Sequence, residues 1–188
     1  MIKTKENLEK ILKKIRSREF LENLGSGNET GFYVFDYPPE EEMFIRDYVK
    51  YIFKQLTLAG SDIKPVEIDL YKVMLDLLKS KNIFHKVAPV ERDKGEKELR
   101  KALFPLLKAE NFTKIIKQKV EGYNLVFLTG IGKVWPLVRS HTILNNLHHV
   151  LDKIPLIMFF PGRYDRVELQ LFGKFRDDNY YRAFKLIE

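Results

Sequence analysis

The chain has 188 residues, 45% of them hydrophobic and 31% charged, with a formal net charge of +7. That suffices for one sizeable core and is too apolar for wholesale disorder. It holds no cysteine, which excludes disulfides and thiolate metal sites and suits a reducing cytoplasm. The first residues, MIKTKENLEKILKKIRSREF, lack the unbroken apolar segment of a signal peptide, and no run approaches a membrane span. The lysines spread over 3–14, 79–101 and 114–119, with acids mixed into the first two stretches. A solvated basic surface outweighs a nucleic-acid face on this pattern, since no RGG tract, zinc-finger spacing or helix-turn-helix accompanies it.

Taken in order, Leu8, Ile11, Leu12 and Ile15 recur at helical spacing and continue to Leu21 and Leu24, before Gly25-Ser26-Gly27. This predicts an amphipathic N-terminal helix over 1–24, more suited to the core than to a partner, although a partner could use its stripe. GFYVFDY, Gly31–Tyr37, reads as a first strand. Pro38-Pro39 ends it, and Glu40-Glu41-Glu42 opens a helix running past Leu56 to Ala59-Gly60. Proline and carboxylates suit a first turn. PVEIDL, Pro65–Leu70, is a second strand, followed by a helix with Val73, Met74, Leu77 and Leu78. This alternation is that of an α/β protein.

Asn82–Arg92 carries no clear signal, and charged Glu91–Lys101 with Gly95 reads as a loop or helix start. Pro105 is expected to kink the helix carrying Leu99, Leu103, Leu106 and Leu107. Phe112, Ile115 and Ile116 mark another short helix. YNLVFLT, Tyr123–Thr129, is a third strand that delivers Gly130-Ile131-Gly132-Lys133, and a helix then runs from about Val138 to Leu151. IPLIMFFPGRYD, Ile154–Asp165, is a central strand stopping at Pro161-Gly162, because its apolar run suits burial on both faces. VELQLF, Val167–Phe172, suits an edge strand or hairpin, and Asp177–Asn179 a turn before the aromatic tail. No repeat or linker divides the chain, so 1–188 reads as one α/β domain. Its mostly parallel sheet is flanked by helices, with antiparallel edge strands towards the C-terminus.

Few constellations suggest chemistry. GIGK after a strand resembles a phosphate loop, but G-x-x-x-x-G-K-[ST] fails twice: Phe127 stands five before Gly132, and Val134 follows Lys133. The layout is therefore P-loop-like or Rossmann-like without a working P-loop, and no G-x-G-x-x-G supports a dinucleotide. Arg139, His141, Asn145 and Asn146 fall on one stretch of helix that could face phosphate or a partner. His148 and Asp152 are too few to hold a metal, and His141 is roughly 10 Å away along the axis. Arg163, Tyr164, Asp165 and Arg166, with Asp177, Asp178, Asn179 and Tyr180, form a polar rim at the sheet's end. Ion pairs and turn hydrogen bonds fit these residues better than hydrolysis, which would rest on Asp165 with Asp177 or Asp178 but lacks a nucleophile with an adjacent base.

Three segments, GIGKVWPLVRSHTILNNLHHVL, IPLIMFFPGRYD and LQLFGKFRDDNYYRAFKLI, resemble the BrxB family of BREX bacteriophage-exclusion systems. The resemblance is strong over Tyr123–Ile187 and extends to GFYVFDYPPE by layout. Arg166 departs from it, where a smaller residue is expected. The resemblance implies a cytoplasmic, non-enzymatic accessory protein with no cofactor and no catalytic residues. The expected partners are other BREX proteins: first the alkaline-phosphatase-like PglZ, then the methyltransferase PglX or the ATPase BrxC. DNA would be met indirectly. The candidate partner or ligand surface comprises Gly130–Asn146 and Phe160–Tyr181, or the stripe Leu8, Ile11, Leu12 and Ile15. The alternative is a degenerate nucleotide- or DNA-binding domain that does not hydrolyse.

Overall fold

A computed structural model describes residues 2–21, 31–58, 61–151, 154–177 and 183–187. The two N-terminal helices are α1 (Ile2–Ile15) and α2 (Arg18–Leu21). Strand β1 (Phe32–Tyr37) leads through a short 3-10 turn, Pro39–Glu41, into α3 (Glu42–Leu56). Next come β2 (Pro65–Asp69), α4 (Leu70–Ser80), α5 (Val87–Leu103) and α6 (Ala109–Lys119). Strand β3 (Leu125–Thr129) is followed by α7 (Ile131–Val134) and α8 (Ser140–Leu147). The chain closes with β4 (Leu156–Tyr164), β5 (Leu169–Leu171), β6 (Phe175–Asp177) and β7 (Phe184–Lys185).

The central strands lie in the order β2-β3-β4-β1-β7, all parallel, and β5 and β6 extend the end of β4 antiparallel. Strand periodicity splits the core cleanly. Phe32 and Val34 of β1, Val126 and Leu128 of β3, and Leu156, Met158 and Phe160 of β4 join one cluster with α4 to α8. Tyr33, Phe35, Tyr37, Leu125, Phe127, Ile157 and Phe159 join the other, with α1 and α3. Burial on both faces is what a parallel sheet demands, and it explains why these strands read as unbroken apolar runs.

The winding follows from handedness. The step from β1 to β2 crosses the sheet one way, and the steps β2 to β3 to β4 return. Right-handed crossovers in opposite directions need opposite faces. Hence α3 covers one face, and the later helices cover the other.

Several expectations need correction. Strand β4 does not stop at Pro161-Gly162; it changes partner there. Tyr37 pairs with Pro161, and Gly162–Tyr164 pair with β5 instead. Pro161 lacks a donor, but its carbonyl accepts from Phe172 N–H at 2.9 Å. Gly162 has no room for a side chain, since a Cβ there would lie 2.2 Å from the Gln170 carbonyl oxygen.

Pro105 does not kink a helix, because α5 has already ended at Leu103, capped by Phe104. The break in α5 is at Gly95, whose φ of 80° leaves the helical region. Glu91–Lys101, read as a loop or helix start, is helix on both sides of that glycine. The helix after Trp135 is shorter than expected, Ser140–Leu147 rather than 138–151. The tail adds a parallel strand to β1 rather than only antiparallel edges.

The stripe on α1 is spent internally. Leu8, Ile11 and Ile15 are fully buried against the α3 face, and Leu12 is half-buried beside them. They offer no free face to a partner. Leu24, Gly25-Ser26-Gly27 and Ala59-Gly60 lie outside the described residues. Arg166 holds a φ of 81°, in the region that strains any residue with a Cβ. The turn therefore favours the smaller residue expected at that point.

Candidate functional site

In a doubly wound sheet, ligands enter where neighbouring strands send their connections to opposite faces. Here that point is the carboxyl edge of β1, β4 and β3. A crevice of about 150 Å³ opens there, lined among others by Tyr37, Glu42, Arg46, Asp69, Gly130 and Lys133. The chain leaving β1 is Pro38-Pro39-Glu40-Glu41-Glu42. Two prolines remove backbone donors, and three carboxylates repel anions. A polyphosphate has no cradle at this turn.

Two ion pairs cross the crevice, while Lys50 and Lys72 stand at its exposed rim. The Tyr37 hydroxyl donates to Glu42, and Arg46 Nε donates to the other Glu42 oxygen at 2.8 Å. Burial pushes the Tyr37 phenol well above its ordinary value, and the bond to Glu42 adds to the rise. Lys133 donates to Asp69 and sits 5.7 Å from the centre of the Tyr71 ring. Asp69 also caps α4, accepting from Tyr71 N–H at 2.9 Å and Lys72 N–H at 3.4 Å. The Thr129 hydroxyl donates to Glu67 at 2.8 Å. At the far side of β1, Lys185 lies 3.2 Å from Asp36, which also accepts from Tyr164 N–H at 3.1 Å.

GIGK thus has a structural use. Gly130 is the left-handed residue before α7, with φ 75°. A Cβ there would lie 2.2 Å from Asp69 Oδ1. Gly132 likewise leaves space for the Phe172 ring, 2.8 Å from a notional Cβ. The lysine of the motif is held by a strand-end aspartate rather than left for phosphate.

The other expected residues scatter. Arg139 precedes α8, and His141 opens it; Asn146 donates to the Thr142 carbonyl at 2.8 Å, and Asn145 is exposed. His148 stacks on Phe32 with centroids 4.1 Å apart, a packing role. Asp152 lies outside the described residues, and among those described no group of three or more acidic or histidine side chains could hold a metal. Tyr164 is buried, its hydroxyl donating to the Ala183 carbonyl at 2.7 Å.

Asp165 closes its own turn, accepting from Glu168 N–H at 2.9 Å and Val167 N–H at 3.0 Å. Those two bonds, the Glu168 one first, hold its carboxyl below the usual range. A carboxylate stabilised as the anion and committed to its own turn is a poor general acid. Arg163 is exposed beside it. The side chain of Asp177, and all of Asp178, Asn179 and Tyr180, lie outside the described residues.

A second region was not legible as a unit. Beneath the β5–β6 hairpin, a recess of about 250 Å³ is lined by Trp135, Arg139, Ser140, Lys174, Phe175 and Arg176, over an apolar floor. Trp135 packs on Phe175 with centroids 4.0 Å apart. All of these residues fall within the expected surface Gly130–Asn146 and Phe160–Tyr181, and Arg139 alone among them was singled out. The signal for Lys174, Phe175 and Arg176 was Phe172-Gly173-Lys174-Phe175-Arg176, rings interleaved with cations.

The molecule is thus a doubly wound parallel α/β protein whose switch-point crevice is crossed by two internal ion pairs, and no solved structure matches it. A family model described as BREX protein BrxB matches residues 66–186. A BREX protein BrxB of Bacillus cereus (strain H3081.97) is 47% identical over 192 residues, spanning 100% of both chains. Another, of Escherichia coli O9:H4 (strain HS), is 36% identical over 182 residues, spanning 96% of this chain and 90% of that protein. The chain belongs to the BrxB family of BREX proteins.

Proposed function

We propose that this protein is a non-enzymatic adaptor of a BREX complex and that its direct partner is the PglZ subunit. BREX membership implies a part in phage defence alongside other BREX proteins. The observation that carries the adaptor reading is the pair of ion pairs that fill the crevice. The place where this architecture takes a ligand is occupied by Glu42–Arg46 and Asp69–Lys133 pairs, behind a Pro-Pro-Glu-Glu-Glu turn. The polar rim at Arg163 and Asp165 and the β5–β6 hairpin are exposed, and the adaptor reading uses them to meet a subunit. Among the described residues no helix is long and apolar enough to cross a membrane.

The test is co-elution of the purified protein with the PglZ-like protein of the same gene cluster, with mass read by light scattering. One peak at the summed mass is expected at micromolar concentration, about −8 kcal/mol. Two separate peaks, or nucleotide hydrolysis by the purified protein, would count against the reading.

A further inference from the structure

We propose that the recess beneath the β5–β6 hairpin is a binding site for single-stranded nucleic acid. This goes beyond the adaptor reading and stands or falls separately from it.

The cations come first. Arg139 and Lys174 are exposed and make no ion pair among the described residues. Arg176 has Glu168 3.7 Å away at 67% exposure, a loose pair that exchanges readily with solvent or a phosphate. Among the described residues no carboxylate lines the recess itself. In the crevice on the other side of β4, by contrast, Lys133 and Arg46 are committed. The recess thus holds two cations with no ion pair among the described residues and a third that is loosely paired.

The aromatic rings come second. Trp135 and Phe175 lie against one another, and Phe172 meets both edge-on at 6.4 and 6.5 Å. Phe175 is 41% exposed. Flat rings beside unpaired guanidinium and ammonium groups are the combination that holds unstacked bases and their backbone. A duplex, whose bases already stack on each other, gains nothing from such a platform.

The donor–acceptor balance decides between a strand and an acidic peptide. Three cations and the Trp135 indole N–H donate, and among these lining side chains only Ser140 is a neutral acceptor. A peptide brings amide N–H groups that need acceptors, whereas a phosphate backbone brings acceptors alone. A volume of about 250 Å³ also suits a nucleotide unit.

Trp135 is the only tryptophan in the chain, so its fluorescence reports directly on the recess. The full-length protein is titrated with an oligothymidylate of about twelve nucleotides, within the usual site size. Saturable quenching with a dissociation constant on the order of 10 µM at low salt is expected. Three neutralised phosphates give a log–log salt slope of about −2. The Arg139→Glu/Lys174→Glu variant is expected to bind at least about tenfold more weakly, with a shallower slope. Lys50→Glu/Lys54→Glu, an equal charge change on the opposite face of the sheet, is expected to bind as the wild type does. Thermal midpoints within a few degrees of wild type keep folding out of the comparison.

Absence of quenching, or equal loss in both double variants, would overturn the proposal. Equal binding of a duplex would remove the single-strand assignment. Equal quenching by polyglutamate would reassign the recess to an acidic peptide. None of these outcomes bears on co-elution with the PglZ-like protein.

Discussion

In the crevice beside β1, Lys133 ends on Asp69 and Arg46 on Glu42. In the recess beneath the β5–β6 hairpin, Arg139 and Lys174 end on no carboxylate among the described residues. Both regions flank the carboxyl half of β4, and both carry cations. The difference is where the carboxylates sit. Strand β2 delivers Asp69, and the first turn of α3 delivers Glu42, into the first region. The hairpin delivers Leu169, Leu171, Lys174, Phe175 and Arg176 to the second, with no carboxylate among the described residues. Charge in the crevice is tied into the fold by ion pairs; charge in the recess is at most loosely paired among the described residues.

Removing the acid at the centre of the crevice should have the largest effect. Asp69→Ala deletes the α4 cap and strips Lys133 of its partner, and the carboxylate is only 7% exposed. A loss of about 3 kcal/mol is expected in urea unfolding, from about 1 for the cap and the rest for the broken pair. A loss below about 1 kcal/mol would mean that the crevice charges are ornamental, and the contrast with the recess would collapse.

Gly130→Ala is next. The new methyl meets Asp69 Oδ1 at 2.2 Å and forces alanine to a φ of 75°. About 2 kcal/mol of destabilisation is expected by the same measurement. Gly173→Ala, at φ 66° with open space around the Cβ, provides the comparison: the conformational part alone, about 1 kcal/mol.

The third prediction concerns alkaline pH. Tyr48 donates to the Leu8 carbonyl, tying α3 to α1. Burial, then the charges of Tyr51 and Glu9, push its phenol from 10.0 up to about 12. The fold thus favours the neutral phenol. That contribution is whole below pH 10 and is lost as pH rises towards 12. Thermal midpoints of wild type and Tyr48→Phe should therefore converge over that window. A constant gap would show that the phenol does not act through its proton.

The smallest effect belongs to the recess. Arg139→Ala and Lys174→Ala should each shift stability by less than about 0.5 kcal/mol, since both side chains are exposed and unpaired. A larger cost would reveal a structural use and narrow the difference between the two regions.

How much of this was legible beforehand depends on the residue. The strands at Phe32, Leu125 and Leu156 were readable because a doubly buried parallel strand is apolar at every position. The α1 stripe was readable because helical periodicity survives in local sequence. The failed phosphate loop was also readable, but it was sought at Gly130. The strand that opens the switch point is β1, and only the strand order assigns that role. Phe172–Arg176 carried an alternation of rings and cations, yet Trp135 and Arg139 join it from more than thirty residues away.

The sequence by itself determined the α/β class, the positions of most strands and the BrxB family. These rest on local periodicity and on words such as RSH-x-x-L-N-N-L that a single segment carries. Only the tertiary structure decided which cations are committed. An ion pair such as Lys133–Asp69 spans sixty-four residues of chain. Its geometry comes from β2 and β3 lying side by side and Gly130 turning the chain, and nothing local encodes that distance.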